Sequence, residues 1–165
     1  MDCMEYQNNF NKYLYWLGCY IPKEMQEEAY KFFVDECREN DIQYIICKAN
    51  PHTWDNAICV LRDIGYPKNK SAVQNIMYLF QDINWECAQV GLSVIKDVYA
   101  FEPTIVVKAI EKAAKIADKD GDDEWLFGLS WLKECLRISK NDFTDSETIT
   151  ILYKGQFWDS TDEII

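Results

Sequence analysis

The sequence predicts an all-α fold of stacked antiparallel helical hairpins. Three observations carry that expectation. Apolar residues recur three and four positions apart along most of the chain, which is the period of an amphipathic helix. Three runs open on or near a Trp, at Thr53-Trp54-Asp55-Asn56-Ala57, Asn84-Trp85-Glu86-Cys87-Ala88 and Asp122-Asp123-Glu124-Trp125. Each run follows a stretch of turn residues, so the three points divide the chain into helical pairs.

Taken in order, residues 5–19 set Tyr6, Phe10, Tyr13, Leu14 and Leu17 on one aromatic face. Gly18 and Pro22 bracket the end of this helix. Pro22 suits the first turn of the next one, where its missing N–H costs nothing. Glu24, Glu27 and Glu28 favour the positive end of that helix, and Met25, Ala29, Phe32, Phe33 and Cys37 form its inner stripe. The short apolar segment from Ile42 to Cys47 follows Asp41, a candidate cap. A helix is expected there, because a lone strand would leave its backbone without partners.

Thr53 is expected to cap a helix with Ala57, Ile58, Val60, Leu61 and Ile64 facing inward, ended by Gly65 and Pro67. Ser71 is expected to cap the next, with Val73, Ile76, Met77, Leu79 and Phe80 inside. Asn84 then caps a helix from Trp85 to about Val98, and Glu102-Pro103 restarts the chain. Val106, Ala109, Ile110, Ala113, Ile116 and Ala117 have the cleanest helical spacing in the sequence. Another face of that helix carries Lys108, Lys112, Lys115 and Lys119, a basic stripe whose plainer reading is a solvated surface. After an acidic turn, Trp125, Leu126, Leu129, Leu132 and Leu136 mark the last strong helix. Residues 139–147 read as a loop. The β-branched alternation from Thr148 to Tyr153 suggests a strand, leading through Lys154-Gly155 into a hairpin or an extended arm.

The Trp echo has a spacing of 31 residues between Trp54 and Trp85 and 40 between Trp85 and Trp125. Helical-hairpin repeats run about 34–47 residues. The small Ala57 and Ala88 at matching places would let a neighbouring helix approach, and the indole rings would fill the space between hairpins. Stacked in this way, the hairpins form a superhelix of HEAT or armadillo type, whose concave face usually binds protein. The chain is read as a single helical-repeat domain over 1–165: N-terminal helices at 5–65, a helical core at 67–138, and a loop with a C-terminal arm at 139–165.

Composition narrows the function. A chain of 165 residues can bury a real core, and 48% apolar with 15% aromatic residues opposes disorder. No apolar run reaches the roughly 18 residues of a membrane span, and the acidic start Met1-Asp2-Cys3-Met4-Glu5 does not read as a signal peptide. The formal net charge of −11 opposes binding to nucleic-acid phosphate or anionic lipid and favours a basic protein partner. Seven cysteines with no C-x-x-C, and a single histidine, His52, leave no zinc set of the usual spacing. They are read as reduced core thiols of a cytoplasmic protein. Asp118-Lys119-Asp120-Gly121-Asp122 resembles the start of a calcium loop. Its sixth position is Asp123 rather than Gly and its twelfth is Leu129 rather than Glu, so an acidic turn that caps the Trp125 helix is the better reading. No phosphate loop and no nucleophile–base set is present; neither an enzyme nor a cofactor is expected.

From Pro67 to Leu136 the chain resembles a small bacterial helical-repeat family, domain of unknown function 5071. The likeness is carried by the Leu-rich helix, Gln81-Asp82-Ile83-Asn84-Trp85, Ala88, and Asp122-x-x-Trp125. Glu86 stands where that family usually has Pro. The resemblance implies a HEAT-like fold with no established activity. In size, acidity and class the chain also resembles immunity proteins, which neutralise toxins delivered between bacteria. That likeness implies a non-catalytic protein that covers the basic site of a nuclease toxin. The expected partner-binding acids are Asp118, Asp120, Asp122, Asp123 and Glu124 on the turn, with Asp142, Asp145 and Glu147 beyond it. The alternative is a helical-repeat adaptor unrelated to toxins.

Overall fold

The computed structural model describes residues 2–156. Every regular element among them is helical and none is a strand, so the fold is all-α. The chain divides into two compact units, Met1–Asn75 and Ile76–Ile165.

The first unit is built on rings. Helix α1 (Cys3–Trp16) is capped by Asp2, whose carboxylate accepts from the Glu5 N–H at 2.8 Å. Helix α2 (Lys23–Asp35) starts directly after Pro22. Tyr6 and Phe10 of α1 and Phe32 and Phe33 of α2 are all buried. Phe10 meets Phe33 edge-on with centroids 5.3 Å apart, and Tyr13 lies 4.6 Å from Phe32. Edge-to-face and tilted pairs of this kind add to simple burial. Helix α3 (Trp54–Ile64) buries Ala57, Ile58, Val60 and Leu61, and Gly65 ends it at a positive φ of 70°. The Trp54 indole N–H donates to the Cys47 carbonyl at 2.9 Å, so a fully covered ring keeps its one polar group satisfied.

Three expected caps in this unit are corrected. The segment after Asp41 is a 3₁₀ helix over Glu39–Tyr44, preceded by Arg38. Six residues are too few to sustain an α-helical ladder by themselves. Thr53 does stand before α3, but its hydroxyl donates back to the Asn50 carbonyl and does not cap. Ser71 lies within a 3₁₀ helix over Lys68–Ala72. The single continuous helix expected after it is a 3₁₀ run, one α-turn (α4, Val73–Ile76) and a second 3₁₀ run over Met77–Gln81. Its inner residues Val73, Ile76, Met77, Leu79 and Phe80 are nonetheless all buried.

The second unit continues with α5 (Glu86–Phe101), α6 (Pro103–Asp120), α7 (Asp123–Leu136) and α8 (Ser146–Gln156). Helix α7 packs against α5, α6, α8 and the Met77–Gln81 segment. Two glycines allow these approaches. A methyl built on Gly128 would overlap the Phe80 carbonyl oxygen, and one on Gly155 would come within 2.6 Å of the Phe127 amide nitrogen. Backbone therefore lies on backbone on two sides of α7. The Trp125 indole donates to the Met77 carbonyl at 2.8 Å, and Ser130 Oγ donates to the Leu152 carbonyl at 2.8 Å.

Two further expectations are overturned. Residues 148–153 are helical, as part of α8, and are not a strand. Thr148, Ile151, Leu152 and Gly155 are buried, at the i, i+3, i+4, i+7 positions of one helical face. The apparent alternation of β-branched residues lost to that face, because the glycine end of it is what fits against α7. The expected turn into Gln156-Phe157-Trp158 falls largely outside the described residues. Trp85 is the second case. It is 41% exposed, whereas Trp54 and Trp125 are covered. Trp85, not Asn84, occupies the cap position of α5, with extended backbone and no side-chain capping bond. Its ring thus precedes the inward face that begins at Cys87 and Ala88. Asp82 ties this turn by accepting from the Asn84 N–H at 2.9 Å.

Candidate functional site

Helix α6 organises the site in the second unit. Its Ala109, Ile110, Ala113, Ala114 and Ala117 are buried, which fixes the rotation of the helix and sends Lys108, Lys112, Lys115 and Lys119 outward. Successive lysines are four, three and four residues apart, so they form one stripe about 16 Å long at 1.5 Å rise per residue. The segment between α7 and α8 runs beside it. A 3₁₀ turn over Lys140–Asp142 is closed by a reciprocal capping box: the Ser139 N–H donates to Asp142 at 2.7 Å and Asn141 N–H to Ser139 Oγ at 3.2 Å.

Glu111 joins the two segments. This carboxylate is nearly covered, at 9% exposure. It accepts from the Thr144 N–H at 2.6 Å, from Thr144 Oγ1 at 2.9 Å and from the Asp145 N–H at 3.2 Å. Hydrogen bonds to a charged acceptor are about twice as strong as neutral ones, so Glu111 pins the 144–145 backbone to α6. Lys115 adds an ion pair with Asp145. The Asp145 carboxyl is held below its usual range chiefly by that ammonium, with help from the Glu147 N–H, and Lys115 is raised in turn by Asp145.

Between helix and segment lies an open trough of about 560 Å³, lined by Lys108, Glu111, Lys112, Lys115, Ile116, Lys119 and Thr144. A smaller cavity of about 220 Å³ shares Lys108 and Thr144 with it and is bordered by Tyr99, Val107 and Asp142. Burial, and then the charge of Asp142, pushes the Tyr99 phenol up. Lys108, Lys112 and Lys119 form no ion pair among the described residues. On a chain of net charge −11, this trough is a local excess of positive charge.

The eight acids expected to bind a partner all fall in the second unit, but Asp118, Asp122, Asp142 and Asp145 are engaged within it. Asp118 accepts from Lys154 of α8, and Asp145 from Lys115. Asp122, an acid of the turn expected to cap this helix, caps α7 by accepting from the Trp125 N–H at 2.9 Å, and Asp142 closes the Lys140–Asp142 turn. Asp120, Asp123, Glu124 and Glu147 are exposed. Gly121 takes the left-handed conformation that ends α6, so Asp120 and Asp123–Glu124 flank one sharp turn. Lys154 on Asp118, and Gly155 on the Leu126–Phe127 backbone, bring the C-terminal end of α8 to this turn. That end carries Tyr153, which is 54% exposed. Among the described residues no group of three or more His, Cys, Asp and Glu is placed to hold a metal ion.

Sequence reasoning missed the trough. The lysine stripe was visible, but a stripe alone does not distinguish a solvated face from one wall of a groove. The sign of the second wall was Glu111, an acid within the Ala- and Ile-rich face of α6. No helix among the described residues is long and apolar enough to cross a membrane. No protein-family model, no curated protein and no solved structure matches the chain.

Proposed function

We propose that this protein is a non-catalytic binding protein that neutralises a bacterial toxin, a nuclease in the leading version, by covering the toxin's basic active site. The observation that supports this most is the α6–α7 turn. Exposed Asp120, Asp123 and Glu124 stand on a turn held by the left-handed Gly121 and the Asp122 cap, at the end of the unit that carries exposed Tyr153. Exposed carboxylates together with an exposed ring on the same unit suit a basic partner surface. The ring supplies affinity, and the carboxylates speed encounter and fix orientation. Carboxylates spaced along such a turn would stand in for the phosphates of the toxin's own substrate. The acidity, modest size and helical class of the chain, and its likeness to immunity proteins, support the same reading.

The test is protection. Bacteria producing the toxic C-terminal domain of a secreted protein encoded beside this chain should recover growth when the chain is co-produced. The purified pair should associate with a strong salt dependence. A variant carrying D120K, D123K and E124K should associate at least about tenfold more slowly at low salt, with a flatter salt dependence. Absence of both protection and association would sink the toxin reading and leave an adaptor. Protection with unchanged kinetics in the variant would remove the acidic turn from the interface.

A further inference from the structure

The α6 trough has no part in that reading, since its charge has the opposite sign. We infer that it is a docking groove for an acidic, extended segment of a partner protein. Three features carry the inference. First, four ammonium groups border one groove and only Lys115 is engaged by a carboxylate among the described residues. Secondly, the wall facing the lysines is fixed. Glu111 holds Thr144 and Asp145 through three N–H and O–H donors, so the groove is preformed and little ordering is needed on binding. Thirdly, the spacing fits. Lysines four, three and four residues apart rise about 6, 4.5 and 6 Å along the helix. Carboxylates on alternate residues of an extended chain recur about every 6.6 Å. The side chains between those carboxylates point to the opposite face of the extended segment, away from the lysines.

A nucleic-acid strand has a similar charge spacing, but the observations favour peptide. The larger trough is lined by no ring on which a base could stack. Tyr99 borders only the smaller cavity, where Asp142 adds negative charge.

The experiment is fluorescence anisotropy at low salt on the full chain, with amide NMR shifts to locate binding. The probe is a labelled peptide of about seven residues with Glu at alternate positions and Ala between, long enough to span the stripe. It should bind, shifting amides of 108–119 and 144–145, and its Gln analogue should not. K108Q/K112Q/K119Q should weaken binding about tenfold, at roughly 0.5 kcal/mol for each partly exposed charge pair. K23Q/K31Q/K68Q removes the same charge from exposed positions of the first unit and should change affinity less than about twofold. No peptide binding, equal losses in the two triple variants, or tighter binding of a short oligothymidylate would each overturn the proposal. None of these outcomes touches the acidic turn, so this inference and the toxin reading fail separately.

Discussion

The two units reach a solvent-free core by opposite means. The first fills its interior with rings: Tyr6, Phe10, Phe32, Phe33 and Trp54 are buried and most touch one another. The second places small residues at covered positions, Ala88, Gly91, Ala113, Ala114, Ala117, Gly128 and Gly155, and at Gly128 and Gly155 backbone lies on backbone. A ring core can repack around a loss by rotating neighbours. A backbone-on-backbone contact has no rotamers to adjust, so the two units should respond differently to single atoms added or removed.

The largest effect is expected at Gly128. One methyl there overlaps the Phe80 carbonyl oxygen, which belongs to backbone and not to a side chain that could swing away. Overpacking typically costs about 1–3 kcal/mol where side chains can give; Gly128→Ala should exceed about 4 kcal/mol or prevent folding of the second unit. Urea denaturation followed by far-UV circular dichroism reads this directly. A loss below about 1 kcal/mol would mean that the α7 approach is looser than described. Phe33→Ala is the counterpart in the first unit. It removes a ring that is 1% exposed and in contact with Phe10 and Phe32. About 3–5 kcal/mol is expected, with near-UV dichroism from the other rings weakened but not abolished, because those rings can close in.

Alkaline pH separates the units by chemistry. In the first, burial first and then bonding to Asp63 pushes the Tyr30 phenol up to about 12, and burial pushes the Cys37 thiol up to about 11. Tyr6 is raised as well, again chiefly by burial. In the second unit, Tyr99 is raised by its covering and Asp142. A folded pKa above the unfolded one means stability that is complete below the unfolded value and is lost as pH rises through the folded value. The first unit should therefore weaken from about pH 9, where an unfolded thiol starts to ionise, to about 12, with four raised phenol and thiol groups, Tyr6, Tyr13, Tyr30 and Cys37, against one in the second unit. Phenolate absorbance should rise together with loss of first-unit amide signals, and Tyr30→Phe should move that loss to higher pH. Simultaneous loss in both units would count against the assignment.

The sequence was legible where one face dominates. α6 is defined by Ala and Ile at helical spacing, and the acidic turn by its place just before the Trp125 helix, where Asp122 proves to be the cap. It was misleading where a small residue carried the packing. Gly155 reads as a turn in the sequence, yet it is the seventh-position member of the buried α8 face, and without it Thr148–Tyr153 looks like a strand. Trp85 misled in the other sense. A large ring at a helix start suggests a core anchor, but at the cap position, on extended backbone, Trp85 is 41% exposed. Of the candidate site, the acids were legible as residues but not as partners. Lys154 lies 36 residues from Asp118, and Lys115 lies 30 residues before Asp145. Long-range pairs of that kind follow from how α8 and the 139–147 segment pack, which no local pattern encodes.

The smallest expected effect is also the sharpest probe of the close-packed unit. Thr148, at 0% exposure, has a hydroxyl with no partner among the described residues, whereas nearby Ser130, also buried, donates to the Leu152 carbonyl. Leaving a covered hydroxyl unbonded costs about 1–3 kcal/mol, and replacing it by an apolar group of the same shape removes that penalty. Thr148→Val keeps the shape and should be neutral to stabilising by about 1 kcal/mol, a rise in Tm of about 2–4 °C for a chain of this size. Ser130→Ala should lose about 1 kcal/mol, since it strips a bonded donor from the same α7–α8 contact. Scanning calorimetry on the pair gives opposite signs if backbone proximity has simply left Thr148 with nothing to bond. Destabilisation by both would mean that a buried water reaches Thr148 and that the α7–α8 contact is less dry than its glycines imply.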